Sequence, residues 1–245
     1  MEGMKEALEY VVGLSAPSYT EHEGELWSDK PMHRIHKKMP KAARLQMGTL
    51  TSLVEYIKSN TDKMDNHMLI HVQSPTKVVL MSELDEDRCR EELVEVNAML
   101  PEFSFNQYYP AESFVINVMS KFIGSTDKEQ ILKFAGTVET GTVAQYGDDG
   151  VSQKATIQQT CTSKSEAIIP NPVHLAPYRT FLEVDQPSSD FIFRARDDER
   201  EPSFALFEAD GGAWKLDAMN TVASFLKEAI RELHIEQDVT FTVIS

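Results

Sequence analysis

Cysteine and long apolar runs are both scarce in this chain. Its 245 residues include only two cysteines, Cys89 and Cys161, which lie far apart in the sequence. Two such cysteines make neither a disulfide scaffold nor a cysteine-ligated zinc site, so we expect both to be small buried side chains in a reducing compartment. No apolar run approaches the about 20 residues that span a bilayer, which predicts a soluble protein without a membrane partner.

Signatures of catalysis and of phosphate binding are missing as well. The chain has no Gly-x-Ser-x-Gly element, no cysteine-protease signature and neither of the two common glycine-rich phosphate loops. Its first residues carry acids where a secretory signal carries bases, so we expect no export. These absences favour a cytoplasmic protein that is not an enzyme and uses no cofactor. Catalytic residues that only the fold brings together remain an alternative.

Positive charge is also scarce, and it is unevenly placed. The chain has 24 basic and 39 acidic side chains and a formal net charge of −15, which disfavours general contact with phosphate backbones. Residues 30–44 are the exception, because they contain no acid; removing their six charges leaves −21 on the rest of the chain. This basic segment is either a connector or subunit surface that faces acidic groups, or a contact for an anion or a nucleic acid. Its basic residues are Lys30, Arg34, Lys37, Lys38, Lys41 and Arg44.

Hydrophobic periodicity predicts an α+β fold whose N-terminal half is rich in helices. Thr49 is a plausible N-cap for a helix, and Pro110 suits a first helical position. Two apolar runs around Ser74-Pro75-Thr76 predict a hairpin, since proline fits that turn better than a central strand. We expect Asp85 to cap a helix. The expected helices cover residues 4–14, 50–57, 85–99, 110–122 and 126–135.

The C-terminal half is predicted to be β-rich, with an antiparallel sheet packed by a long C-terminal helix. The strands are expected over 137–145, 151–162, 191–196, 204–209 and 239–244. The helix is predicted by apolar side chains that recur at three- and four-residue spacing, namely Met219, Val222, Ala223, Leu226, Ile230 and Leu233. We divide the chain into an irregular segment 1–48, an α+β subdomain 49–135 and a β-rich subdomain 136–245. One continuous domain for the last two is the alternative.

A polar and aromatic group in the C-terminal half is the candidate ligand site. Arginine suits phosphate and carboxylate groups, while tyrosine and tryptophan offer stacking surfaces for a base. If strands 191–196 and 204–209 are neighbours, the group can converge on an anionic, aromatic, nucleotide-like ligand. The alternative is that Trp214 belongs to the core and the arginines pair with acids. The group comprises His174, Tyr178, Arg179, Arg194, Arg196, Trp214 and Lys215.

Other clusters are weaker candidates. His33-x-x-His36 has the spacing of a ligand pair, but nearby lysines oppose a cation, so we predict no metal site. Asp148-Asp149 is typical of a hairpin turn. Gly211-Gly212, between a strand and a helix, resembles half of a phosphate loop whose free amides can hold an anion.

Several segments resemble the YfdQ-like proteins, an uncharacterised bacteriophage and prophage family. Together they sample most of the chain from about residue 30 to 232, and none is a catalytic signature. The resemblance implies a phage-encoded accessory protein that acts in the bacterial cytoplasm, with no catalytic residues to transfer. The segments are KMPKAAR (38–44), GTLTSLVEY (48–56), HVQSPTKV (71–78), YGDDGVSQ (146–153), LAPYRTF (175–181) and ALFEADGGAW (205–214).

Three functions follow from these observations. The first is a non-enzymatic accessory binding protein, expected to be a homo-oligomer, with counter-defence by sequestering a nucleotide-type ligand as its suggested role. The second is an accessory factor in phage DNA recombination or replication, which the basic segment supports and the net charge opposes. The third is a nucleotide hydrolase. The absence of any catalytic signature places the binding protein first.

Overall fold

Contacts in the computed structural model divide the chain into two units, Met1–Lys41 and Ala42–Ser245. The α+β class predicted from the sequence is confirmed, including the long C-terminal helix. None of the helices in the described parts of the chain is long and apolar enough to cross a membrane. The structure describes residues 2–13, 17–22, 24–30, 42–64, 66–85, 88–140, 142–148, 152–158, 164–197, 201–233 and 239–245.

The first unit contains a helix and a hairpin. Helix α1 spans Glu2–Gly13, as the sequence predicts, and strands β1 (Tyr19–His22) and β2 (Glu25–Ser28) pair antiparallel. The hairpin is closed by Asp29, whose carboxylate accepts a hydrogen bond from the Ser18 amide at 2.8 Å. The apolar side chains of α1 are exposed, with Met4 at 72 %.

The second unit contains a five-stranded mixed sheet with two helices on one face. The strand order is β14-β4-β5-β6-β3; both outer strands are parallel to their neighbours, and the inner pairs are antiparallel. Alternate apolar side chains of this sheet and the inner faces of the two helices form one core. The elements are β3 (Leu45–Met47), α2 (Leu50–Ser59), β4 (Asn66–Ser74), β5 (Lys77–Ser82), β6 (Glu92–Asn97), α5 (Trp214–Glu232) and β14 (Val239–Ile244).

Local chemistry explains the limits of α2. Its N-cap is Thr49, as predicted, and the Thr49 hydroxyl accepts a hydrogen bond from the Ser52 amide at 3.1 Å. Its C-cap is Asn60, whose φ of 43° lies in the left-handed region that asparagine tolerates. The helix buries Leu53 and Ile57 against the sheet.

A second core lies between two antiparallel sheets and two helices. One sheet has the order β11-β12-β13-β7, and the other β10-β9-β8. The centre of this core is aromatic: Phe193 lies 5.9 Å from Phe114, 5.5 Å from Phe134 and 5.8 Å from Phe204, between ring centroids. The elements are β7 (Tyr109–Pro110), α3 (Ala111–Lys121), α4 (Thr126–Thr140), β8 (Thr142–Asp148), β9 (Ser152–Gln158), β10 (Lys164–Pro170), β11 (Val173–Leu175), β12 (Ser189–Asp197) and β13 (Pro202–Glu208).

The loop of residues 176–187 joins the two cores. Pro177 forms a bridge with Phe122 in the aromatic core, and Phe181 is 1 % exposed in the other core. Between them, the Thr180 hydroxyl donates to the Pro75 carbonyl at 2.5 Å, which fixes the loop to the β4–β5 turn. The loop is therefore anchored in both cores.

The helix predicted over residues 85–99 is wrong. Asp85 closes a turn by accepting the Cys89 amide at 2.7 Å, and residues 92–97 form strand β6. The alternating Val94 and Val96 fill the core, because β-branched residues suit a pleated strand, and this alternation outweighs the helical spacing. Cys89 is exposed, contrary to the buried position expected for it; Cys161 lies outside the described residues.

Two smaller predictions at the ends of helices also need correction. Pro110 was expected at the first helical position, but helix α3 begins at Ala111 and Pro110 is its N-cap. The cap of α4 is Ser125, whose hydroxyl accepts the Lys128 amide at 3.1 Å. Helix α4 continues to Thr140, into the stretch expected to be a strand, because Val138 is buried in the aromatic core.

Candidate functional site

Three of the seven predicted ligand residues meet at one end of β12 and β13. The guanidinium carbon of Arg179 lies 4.0 Å from the centroid of the Trp214 ring, and Lys215 Nζ lies 5.9 Å from the same centroid. Arg179 also lies 5.6 Å from the Phe191 ring. We call Arg179, Trp214 and Lys215, with their neighbours Glu208 and Asp210, the Arg179 site.

Arg179 is a buried cation with several partners. It is 7 % exposed; its Nη1 donates to Glu208 Oε1 at 3.3 Å, and its Nη2 donates to the Ser189 hydroxyl and, at 3.4 Å, to the Pro187 carbonyl. Burial lowers the pKa of Arg179 to about 10, although Glu208 and Asp210 act in the opposite direction. The guanidinium therefore stays charged at neutral pH at a cost in desolvation.

Two adjoining donors in this site have no acceptor. Nε of Arg179 and Nε1 of Trp214 are both buried, and neither makes a hydrogen bond to any residue that the structure describes. A buried unsatisfied donor costs about 1–3 kcal/mol, and such groups are rare in native proteins. An acceptor supplied from outside the chain would recover this energy.

The carboxylate of Asp210 binds the free backbone amides at the start of α5. Asp210 accepts the Gly212 amide at 2.9 Å and the Trp214 amide at 3.3 Å, and the turn is possible because Gly211 and Gly212 adopt φ of 64° and 85°. These amides are the ones that a phosphate would use at a helix N-terminus. The sequence suggested that Gly211-Gly212 could hold an anion such as phosphate. In the structure, the carboxylate of Asp210 occupies this position.

Gln186 holds the loop that carries Arg179. Its Oε1 accepts the amides of Arg179 and Thr180 at 2.9 and 3.1 Å, and its Nε2 donates to the carbonyls of Phe181 and Val184 at 2.9 and 3.2 Å. One side chain thus orders the backbone from Arg179 to Val184. The backbone that carries Arg179 is therefore held in place by the chain itself.

His174 and Tyr178 lie outside the Arg179 site. His174 Nδ1 is 2.9 Å from Asp190 Oδ1, and the His174 amide donates to Asp127 Oδ2 at 2.7 Å. Its side chain is 60 % exposed. The Tyr178 amide donates to the Lys121 carbonyl at 2.9 Å, which ties the loop to the end of α3.

Arg194 and Arg196 form a separate pair on the other face of β12. Strands β12 and β13 are neighbours, as the sequence interpretation required, but Arg196 is opposite Ser203, whereas the Arg179 site contains Glu208. Five residues of strand correspond to about 17 Å. Arg196 lies 3.9 Å over the Tyr108 ring, and Arg194 Nη1 donates to the Phe193 carbonyl at 3.2 Å. The expected convergence of all seven residues therefore does not occur.

Most of the basic segment lies outside the described residues. This applies to Arg34, Lys37, Lys38 and Lys41, and also to the predicted histidine pair His33 and His36. Lys30 belongs to the first unit and is half-buried.

Arg44 belongs to the second unit and pairs with two acids. Its Nη1 contacts Glu92, and it lies 2.9 Å from Glu95 Oε2, which Lys77 Nζ also approaches at 3.0 Å. Asn97 Nδ2 donates to the other oxygen of Glu95 at 2.9 Å. The pairing of Arg44 gives no support to a nucleic-acid contact at this residue.

A cleft of about 220 Å³ lies beside β4 and contains none of the seven predicted residues. One wall carries Asp62, which accepts a hydrogen bond from the Tyr56 hydroxyl at 2.7 Å. Burial, and then this hydrogen bond, raise the pKa of Tyr56 above its ordinary value of 10.0. Among the residues that the structure describes, no three His, Cys, Asp or Glu side chains are grouped so as to hold a metal.

Comparison of the chain with protein-family models, with curated proteins and with solved structures found no match. Membership of the YfdQ-like family therefore stays a prediction. Sequence reasoning missed Glu208, Asp210, Ser189 and Gln186. The signal for Asp210 was available, because an aspartate directly before Gly-Gly and a helix start is typical of an N-terminal cap.

Proposed function

We propose that the protein is a non-enzymatic accessory binding protein that takes up a small aromatic ligand of the nucleotide type at the Arg179 site. The observation that carries the proposal is the pair of buried donors, Arg179 Nε and Trp214 Nε1, which lack acceptors among the described residues. Exposed donors would be satisfied by solvent, whereas buried donors need a partner that reaches them. A ligand with acceptor atoms is such a partner.

The composition of the site supports an aromatic ligand. Trp214 is only half-buried, and bases stack on tryptophan rings, which contributes about 1–3 kcal/mol per base in other proteins. Lys215 is exposed at the edge of the same ring and can contact charge at the rim of a bound molecule. The position of Arg179, held by Gln186, supports a preorganised site.

The resemblance to YfdQ-like proteins supports the biological setting. Segment 175–181 supplies Arg179 and segment 205–214 supplies Trp214, so two of the resembling segments meet at the proposed site. We accordingly propose a phage-encoded protein that acts in the bacterial cytoplasm, with counter-defence by sequestering a nucleotide-type ligand as its role. Homo-oligomerisation belongs to the same proposal and is supported by exposed apolar side chains such as Met4 and Met119.

The test is native mass spectrometry of the protein purified from bacterial cells, before and after denaturation. We expect an oligomer that releases a nucleotide-sized mass on denaturation. Trp214→Phe keeps a ring but removes the N–H group, so it should release less of this mass. Trp27→Phe is the matched control, since Trp27 is an exposed ring in the first unit. A protein that carries no small molecule and binds no added nucleotide would overturn the proposal.

A further inference from the structure

We infer that the Arg179 site recognises its ligand through a neutral acceptor on the base, such as a carbonyl oxygen or a ring nitrogen, and not through a phosphate group. This inference rests on the proposed function and adds the chemical group that the site reads. It follows from the charges already present in the site, from the helix amides that are already used, and from the donors that remain.

The positive charges of the Arg179 site are already balanced by carboxylates of the chain. Arg179 is paired with Glu208 at 3.3 Å, and Asp210 adds a second carboxylate next to it. The two cations of the site, Arg179 and Lys215, are matched by these two acids. A phosphate placed here would meet both carboxylates, and like charges at short range disfavour its binding.

The backbone amides at the start of α5 already have acceptors. Phosphate sites at helix N-termini depend on free N–H groups at the first turn. At the start of α5, the Gly212 and Trp214 amides donate to Asp210, and the Ala213 amide donates to the Asp210 carbonyl at 3.3 Å. A phosphate would have to displace the carboxylate that the chain holds in this place.

Two side-chain donors of the Arg179 site remain without an acceptor among the described residues. The unsatisfied groups are the Nε–H of Arg179 and the indole N–H of Trp214, in side chains whose guanidinium carbon and ring centroid lie 4.0 Å apart. Because the charge of Arg179 is already compensated, neutral acceptors satisfy these donors without burying another charge. Carbonyl oxygens and ring nitrogens on the edge of a nucleobase are acceptors of this kind.

The experiment compares ribonucleosides with their 5′-monophosphates and with inorganic phosphate, by calorimetric titration of the full-length protein. We expect at least one nucleoside to bind within about threefold of its monophosphate, and inorganic phosphate alone not to bind. Affinity should change little with added salt, because few phosphate contacts are made. Trp214→Phe should weaken the nucleoside and its monophosphate equally, by up to about tenfold for one lost hydrogen bond.

A second variant tests the inference independently, in case Trp214→Phe fails to fold. Glu208→Gln removes the carboxylate that balances Arg179, so the monophosphate should gain affinity relative to its nucleoside. Thermal melting of each variant checks that the fold is kept. A ligand that binds as the monophosphate but not as the nucleoside would overturn this inference and leave the proposed function standing. If nothing in the set binds, or if an ordered water is found to satisfy both donors in a crystal soaked with the set, the proposed function fails as well.

Discussion

Arg179 lies with its guanidinium carbon 4.0 Å from the centroid of the Trp214 ring, although the two residues belong to different segments of the chain. Arg179 comes from the loop that joins the two cores, and Trp214 is the first residue of α5. The contact therefore connects the loop, the ends of β12 and β13 and the helix. Substitution of either residue should therefore weaken the proposed ligand binding and lower the stability of the fold.

Substitution of Arg179 tests how much this buried cation contributes to the stability of the fold. We expect Arg179→Met to lower the free energy of unfolding by about 2–4 kcal/mol, because Glu208 and Ser189 lose their partner. Urea denaturation measures this change. Arg231→Met is the control, since Arg231 is 72 % exposed on α5 and should change stability by less than about 0.5 kcal/mol. Equal effects of the two substitutions would show that Arg179 has no special role.

The amide of Gln186 should be worth more to stability than that of an exposed glutamine. Gln186→Ala leaves the amides of Arg179 and Thr180 without acceptors, so we expect a loss of about 2–3 kcal/mol in the free energy of unfolding. Backbone hydrogen exchange of residues 178–184 should become faster. Gln73→Ala on β4 is the control and should leave both measurements unchanged. Slow exchange that persists in Gln186→Ala would contradict the role given to this side chain.

The Glu95 carboxylate should make the protein sensitive to acid. Its pKa is lowered below the ordinary 4.5, first by the hydrogen bond from Asn97 and then by Lys77 and Arg44. A lowered carboxyl pKa stabilises the folded state above pH 4.5, and this contribution is lost as the pH falls below that value. Glu95→Gln should therefore flatten the acid side of the stability curve.

Denaturation midpoints between pH 3 and pH 7 provide this measurement for Glu95. Glu55→Gln, at an exposed position on α2, is the control and should keep the acid dependence of the unchanged protein. A Glu95→Gln protein with the same acid dependence would mean that the carboxylate titrates alike in the folded and unfolded states.

Tyr56 should affect the alkaline side of the same curve. Because its folded pKa is raised above 10.0, its contribution to stability is complete below pH 10 and is lost as the pH rises further. Tyr56→Phe should remove this loss, and it should cost about 0.5–1.5 kcal/mol near neutral pH through the hydrogen bond to Asp62. Ultraviolet titration of tyrosinate detects the late ionisation, with Tyr10→Phe on α1 as the control. Ionisation of all tyrosines near pH 10 would be the contrary result.

Substitution of Arg194 and Arg196, on the other face of β12, distinguishes two locations for the proposed ligand. Arg194→Ala combined with Arg196→Ala should leave nucleoside affinity within about twofold, because Arg194 and Arg196 lie opposite Ala205 and Ser203, about 10 and 17 Å along the strand from Glu208 of the Arg179 site. The melting temperature serves as the check on folding. Loss of binding with an intact fold would place the ligand at Arg194 and Arg196, two of the seven residues expected from the sequence to bind it.

The parts of the fold that follow from local pattern could be predicted from the sequence. Helix α2, the β4–β5 hairpin and α5 each have an inward stripe with matching ends, so periodicity and capping point to the same element. Strand β6 was missed because residues 85–99 also fit a helical spacing. Only the burial of Val94 and Val96 between neighbouring strands decides that case.

The candidate site was less predictable because it depends on pairing between distant segments. The sequence identified Arg179, Trp214 and Lys215 by residue type alone. It could not show that strand register separates Arg196 from Glu208, since alternation assigns faces but not neighbours. The acids that neutralise the site are ordinary glutamates and aspartates in sequence, and only their contacts with Arg179 and the α5 amides distinguish them.

The parallel pairing of β14 with β4 has a consequence for biosynthesis. Thr240 and His67, which share a hydrogen bond in this pair, are 173 positions apart. At translation speeds of about 5–20 residues per second, β4 is made about 9–35 s before its partner, and its outer edge has no strand to pair with in that interval. A nascent chain with an open strand edge associates readily with other chains. Yield of native protein should therefore depend on the speed of elongation and on chaperone supply more than on the final stability of the sheet.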